Sequence, residues 1–381
     1  MTWDVLIIGG GPAGSMAAAE LARRGYRVGV LERKAFPRAK LCGEFLAPQG
    51  VSLLQQEGIL DHVLRAGARP IYEAAFVSPR GRSVRISLDR FPEGRGFGLG
   101  LSRATLDHLL LERARAQGAR VLEGVIVTEA ISQRGCTIGV TAQVQPSGKR
   151  AAFFAAVVID ASGRWRALAS GGGEERSHLF AFQVHLSGVE GLNSTVELYG
   201  YPSGYGGILP IENGLYNLCG LTTREVLRRA EGRPERLLEL TFRQNPLARE
   251  RLWNARSEGS LRGCGPLRFG PCVPPRGHLV VGDAFAQMDP FLGQGISVAM
   301  ESGLLAARLV DAAFREGDLG EIASRSARTL RRRFARLWSA CWLLRPIASL
   351  GEGSDRVISW LPQSVFAHPR VLRMILGGRS V

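Results

Sequence analysis

A chain of 381 residues with 45% hydrophobic and 22% charged residues is more than one core usually serves, and it predicts two interpenetrating domains. Its formal charge of +15 is almost wholly arginine, since Lys34, Lys40 and Lys149 are the only lysines; so skewed a composition reads as compositional bias, and no nucleic-acid partner is expected. Six cysteines without a CxxC pair or histidine-rich spacing argue against a zinc site or a disulfide scaffold and predict free thiols, with no metal.

The longest apolar run, Val5 to Ala19, is broken by Gly9, Gly10, Gly11, Pro12 and Gly14 and lacks a cationic flank. Neither a signal peptide nor a spanning helix is expected, which predicts a cytoplasmic protein. Within that run, Trp3-Asp4-Val5-Leu6-Ile7-Ile8 predicts a strand buried on both faces of a parallel sheet. Gly9-Gly10-Gly11-Pro12-Ala13-Gly14 follows as G-x-G-x-x-G and opens a helix through Ala17 to Ala22. Pro12 suits the first helical turn and Gly25 the helix end. A second strand, Tyr26 to Leu31, ends at Glu32 and its neighbour Arg33, at roughly the 20-residue distance where an acid meets a ribose. In such a unit the glycines and the positive helix end meet a pyrophosphate. Gly9, Gly11, Pro12, Ala13, Gly14, Glu32 and Arg33 are therefore candidate nucleotide ligands.

Further along, Gly100 to Asp107 leads into a leucine-rich helix, and Val157-Val158-Ile159-Asp160 reads as a strand entering a turn at Ala161-Ser162-Gly163. Leu179 to Leu186 alternates with period two, and short strands are predicted at Ser194 to Tyr199, Gly207 to Pro210 and Leu215 to Leu221, implying a mixed sheet. His278 to Val281 is another short apolar run, and after Gly303 the pattern is helical. Leu330, Phe334, Leu337, Trp338, Cys341 and Trp342 make one apolar stripe, expected to bury against the cap or to line a channel for an apolar substrate. The resulting fold class is α/β. Residues 1–70, 101–176 and 265–315 are predicted as a discontinuous Rossmann-like domain, a parallel sheet with helices. Residues 71–100 and 177–264 are predicted as a mixed-sheet substrate cap, and 316–381 as a basic, aromatic-rich helical segment.

The segment from Gly282 to Gly303 resembles the G-D-A … P-x-x-G-x-G-I signature of the flavoprotein monooxygenase and geranylgeranyl reductase superfamily. Arg103-Ala104-Thr105-Leu106-Asp107 resembles its R-x-x-L-D step, and Val157 to Gly163 its G-A-D-G strand end, with Ser162 in place of the second acid and Arg166 where a serine is usual. The resemblance implies FAD as cofactor. It implies that Gly9, Gly11, Gly14 and Glu32 hold the AMP half, Arg103 the phosphates, and Gly282 and Asp283 the ribityl chain, with Asp160 at the G-A-D-G position. Gly293, Gly295 and Ile296 would lie against the pyrimidine end, where a helix N-terminus stabilises the charge of reduced flavin. No second nucleotide fingerprint follows, because Gly171-Gly172-Gly173 sits in a loop, so NAD(P)H is expected as a transient reductant.

Lys40-Leu41-Cys42-Gly43-Glu44 resembles the K-x-C-G stretch of geranylgeranyl reductases, where the Cys sits near the flavin face. Tyr205-Gly206-Gly207-Ile208-Leu209-Pro210 departs from the Y-x-W-x-F-P of those reductases and from the W-x-W-x-I-P of flavin-dependent halogenases. The leading expectation is a monooxygenase that hydroxylates or epoxidises an apolar prenylated or polyketide-type aromatic through a flavin hydroperoxide. An ene reductase saturating isoprenoid double bonds comes second, and a halogenase or a non-catalytic flavoprotein after it. Cys42, Tyr205 and Pro290 are the candidates beside the reacting carbon. From Arg315 onward twelve arginines face five acidic residues. That basic segment either solvates a face or contacts a membrane surface or a carrier protein.

Overall fold

A computed structural model describes residues 2–90, 96–168, 178–272 and 277–349. Gly171 to Gly173, the Trp342 side chain and the basic stretch 350–381 lie outside the described residues. Among the described residues no helix is long and apolar enough to cross a membrane.

The β-rich opening run forms the strand Thr2–Ile8, flanked in parallel by Val28–Glu32 and Lys149–Asp160. Arg120–Glu123 extends this sheet in parallel beyond Val28–Glu32, while Cys136–Val144 and Val125–Gln133 add antiparallel strands on the other side. The end of Lys149–Asp160 also pairs with Leu279–Val280, which returns the chain to this sheet after the second one. Helix Pro12–Arg23 lies against it, nearly all buried. Gly303, in the long helix Gly295–Glu316, lets the two helices touch: a Cβ there would stand 2.1 Å from the Ala13 carbonyl oxygen.

The second sheet runs Arg256–Cys264, Leu179–Ser187, Tyr216–Thr223, Gly204–Pro210, Thr195–Tyr201, Glu73–Val77, Ser83–Ser87. Alternation divides its residues between two faces. Phe182, Val184 and Leu186 enter a core closed by the helices Arg224–Ala230, Pro234–Leu240 and Pro246–Arg251, while Ala181 packs with Tyr205, Leu221 and Leu267 on the opposite face.

The apolar stripe of the last helix, Ile322–Ser349, is buried mainly in the core of the first sheet, while the helix also touches the cap strand Gly204–Pro210. Leu330, Phe334, Leu337 and Cys341 join the core of the first sheet, with Trp338 packed on them and its ring 5.8 Å from Phe285. Gly317, at φ +71°, ends the preceding helix, and the turn after it is too short to carry the chain elsewhere.

Candidate active site

The first sheet brings the carboxyl ends of its parallel strands together at Ile8, Glu32, Asp160 and Val280. In open α/β sheets ligands bind outside such ends. A cavity of about 570 Å³ opens there, within the range of small-molecule sites.

Its wall includes Gly9, Gly11, Pro12, Ala13, Glu32 and Arg33. Gly9 has φ +101°, and a Cβ on Gly14 would lie 1.9 Å from the Gly9 carbonyl oxygen, so this turn closes only on glycine. Gly11 is the N-cap of the first helix and offers no side chain to its first amides, which leaves N–H donors and the positive dipole end at the cavity. Glu32 is buried; its carboxylate accepts the Gly10 N–H at 2.8 Å and the Lys34 N–H at 3.0 Å and has further lone pairs to offer.

Across the cavity Gly295 starts a second helix without side-chain capping. Gly293, at φ +64°, precedes it, and a Cβ there would meet the Phe45 ring at 2.7 Å. Gly282 lines the wall and donates its N–H to Ser302 Oγ at 2.9 Å, while Asp283 stands 3.7 Å from Lys40 Nζ. Burial, and then the Arg103 charge, push the Lys40 ammonium below its ordinary pKa against the pull of Asp283.

Cys42 and Arg103 meet on this wall. Arg103 is buried, and its guanidinium is gripped by Asp107 at 2.6 and 2.7 Å. Burial opposes its charge, but Asp107 and then Cys42 beside it raise its pKa and keep it cationic. The stretch Lys40 to Glu44 is tied to the second sheet: the Cys42 N–H donates to Gln183 Oε1, and Asn217 Nδ2 donates to the Cys42 carbonyl. Glu44, at φ +55°, pairs with His185 at 2.7 Å and accepts the Arg103 N–H at 2.9 Å. Sequence reasoning missed Gln183, His185, Asn217 and Glu44. A signal for two of them existed, since Gln183 and His185 are the polar positions in the alternating run Leu179 to Leu186.

Pro290 and Ile296 also line the cavity, whereas Gly14, Asp160 and Tyr205 stand behind its wall. Asp160 accepts the Ser162 N–H at 2.9 Å and the Leu168 N–H at 3.3 Å, which shapes the loop carrying Ala161 to Gly163. Tyr205 is buried edge-on to Phe291 and donates its hydroxyl to Asp289, the residue that opens the turn at Pro290.

Two uncapped helix ends, a glycine turn without space for a Cβ and an acid at the second strand's end fit a dinucleotide with a planar ring. The FAD binding domain family model matches residues 2–335. The chain belongs to this family. The flavoprotein is 30% identical over 330 residues to a menaquinone reductase of Mycobacterium tuberculosis, covering 81% of this chain and 76% of that one. A digeranylgeranylglycerophospholipid reductase of Methanoculleus marisnigri is 28% identical, with 84% and 79% covered. A 1H-pyrrole-2-carbonyl-[peptidyl-carrier protein] brominase of Pseudoalteromonas luteoviolacea is 26% identical, with 83% and 79% covered. A flavoprotein/dehydrogenase structure from Cytophaga hutchinsonii superposes with a TM-score of 0.84 at 23% identity, covering 99% of this chain and 93% of that one. The flavoprotein is thus an FAD-dependent oxidoreductase.

Proposed function

We propose that the flavoprotein is a reductase that saturates an isoprenoid double bond, adding a hydride to one carbon and a proton to the other, with NAD(P)H as reductant. The observation that carries this reading is the Cys42 thiol on the cavity wall beside the Arg103 guanidinium. Two relatives are by name reductases of menaquinone and of digeranylgeranylglycerophospholipid, which supports an isoprenoid lipid or quinone as substrate class. The sequence put oxygen insertion first; the anchored thiol and these relatives favour the reverse order.

When bound and reduced, FAD supplies the hydride. Gly9, Gly11, Pro12, Ala13 and Glu32 would hold its nucleotide half, and Gly282, Asp283, Gly293, Gly295 and Ile296 the rest. The positive end of the helix starting at Gly295 would favour negative charge on a ring bound at this end of the cavity. Ala181, Leu221, Leu267 and Met288 give the double bond an apolar, water-poor wall. Cys42 gives its thiol proton to the second carbon and is reprotonated by water; Arg103, which the resemblance assigned to the phosphates, is proposed here, held charged by Asp107, to face the charge left on sulfur instead. Gly14, Asp160, Tyr205 and Pro290 shape the loops that hold these groups. The domain division is proposed with 71–100 and 177–264 as the cap, although Gly98–Gly100 pairs with Phe45–Leu46 and Arg69–Ile71 outside the cap sheet. The basic segment 316–381 is proposed to bring a cytoplasmic enzyme to a membrane surface or a carrier protein that presents the substrate.

Oxygen insertion is the second reading, favoured by Gly207 and Leu209 where the resembled reductases carry Trp and Phe. The test is product mass after turnover with NADPH and an isoprenoid alkene. Reduction adds two hydrogens and needs no oxygen; a product carrying one new oxygen atom overturns the proposal.

A further inference from the structure

We infer that Gln183 and Asn217 are positioning residues for Cys42, so that the second sheet fixes where the thiol points. Both side chains are fully buried. Gln183 Oε1 accepts the Cys42 N–H at 3.3 Å, Asn217 Nδ2 donates to the Cys42 carbonyl at 3.1 Å, and Gln183 Nε2 donates to Asn217 Oδ1 at 2.7 Å. Both main-chain polar groups of Cys42 are thus held by two amides that also hold each other.

Sheet register makes this possible. Gln183 pairs with Cys219 and His185 with Asn217, so Gln183 and Asn217 are diagonal neighbours on one face of adjacent strands. His185 adds a second anchor two residues along, through Glu44, whose carboxylate also takes the Arg103 N–H. Cys42 itself lies in neither helix nor strand; its own segment gives its sulfur a long contact, the Glu44 N–H donating to Sγ at 3.4 Å, and the second sheet holds its main chain. Two buried amides are costly to desolvate, and leucines of similar volume would avoid that cost. Their hydrogen bonds are directed at one residue of a distant segment, 141 positions away from Gln183. The orientation of that residue is what they secure.

The kinetic consequence rests on the reading of Cys42 as proton donor; the clamp itself does not. The experiment uses the full chain loaded with FAD and the variants Gln183→Leu, Asn217→Leu and Gln183→Glu, the last of which keeps an acceptor for the Cys42 amide. Stopped flow separates flavin reduction by NADPH from anaerobic reoxidation by an isoprenoid alkene, and hydrogen exchange reads the peptide containing Cys42. In the leucine variants reduction stays within about twofold and reoxidation falls about a hundredfold, the scale expected for a displacement of about 1 Å. Exchange at the Cys42 amide rises about tenfold or more, and Gln183→Glu, which keeps the acceptor for that amide but loses the donor to Asn217 Oδ1, recovers only part of the protection. Unchanged exchange in folded variants overturns the inference, as does an equal fall in both half-reactions. If a leucine variant does not fold, Gln183→Asn, which keeps a neutral amide but draws its oxygen back from the Cys42 N–H, gives the same reading. Cys42→Ser separates the two ideas: normal reoxidation in that variant refutes the proton donor, and the exchange result still decides the clamp.

Discussion

Arg103 and Asp107, one helical turn apart, form a two-point ion pair in which both side chains are buried and the cation also reaches the cavity wall. Removing the carboxylate leaves a buried guanidinium without its main counter-charge, the case in which a buried pair matters most. Asp107→Ala is expected to lower stability by about 3–5 kcal/mol, read as a lower denaturation midpoint at unchanged slope. Arg103→Lys restores the charge but not the fork, and is expected to recover less than half of the activity.

Gly14 offers the sharpest backbone prediction. An added Cβ would overlap the Gly9 carbonyl oxygen at 1.9 Å, and backbone rather than a flexible side chain would have to yield. Gly14→Ala is expected to yield protein without the flavin absorbance band, whereas Gly25→Ala, where nothing lies within 4 Å, costs only its positive φ of +91°.

Glu32 holds the glycine turn through the Gly10 and Lys34 amides. Glu32→Gln keeps one acceptor and loses the charge, at about 1.5–3 kcal/mol for a hydrogen bond to an ionised group. Equilibrium dialysis of FAD should show affinity weakened between about tenfold and a hundredfold.

Gly207 tests the shape of the cavity. A Cβ there would find its nearest neighbour at 3.6 Å, so a side chain can start without a clash. By alternation it shares a face with Tyr205, which packs beside Ala181 and Leu221 near the cavity. Gly207→Trp is expected to raise KM at least about tenfold for a long isoprenoid and much less for a short one, with flavin content unchanged.

The nucleotide half of the site was legible because its signals are local: strand, glycine turn, helix and acid follow one another within Thr2 to Glu32. The uncapped helix at Gly295 was legible for the same reason. What escaped was carried by contacts between distant segments. Gln183, His185 and Asn217 gain their meaning from Cys42 and Glu44, and nothing near them in the chain names that partner. Tyr205 and Asp160 show the converse. Their motifs placed them at the site, but their polar atoms are spent on Asp289 and on the Ser162 and Leu168 amides behind it. The stripe on Ile322–Ser349 was readable as an apolar face, and its main partner was set by the turn at Gly317, which folds it onto the core of the first sheet.

Anaerobic reoxidation of the NADPH-reduced flavoprotein by an isoprenoid alkene, wild type beside Cys42→Ser, separates double-bond reduction from oxygen insertion. The wild type is expected to reoxidise and release the saturated product, and Cys42→Ser, with normal FAD content and normal reduction by NADPH, to reoxidise at least about a hundredfold more slowly, the scale of a lost proton donor. Reoxidation of the wild type only when oxygen is admitted, with oxygen found in the product, would contradict double-bond reduction.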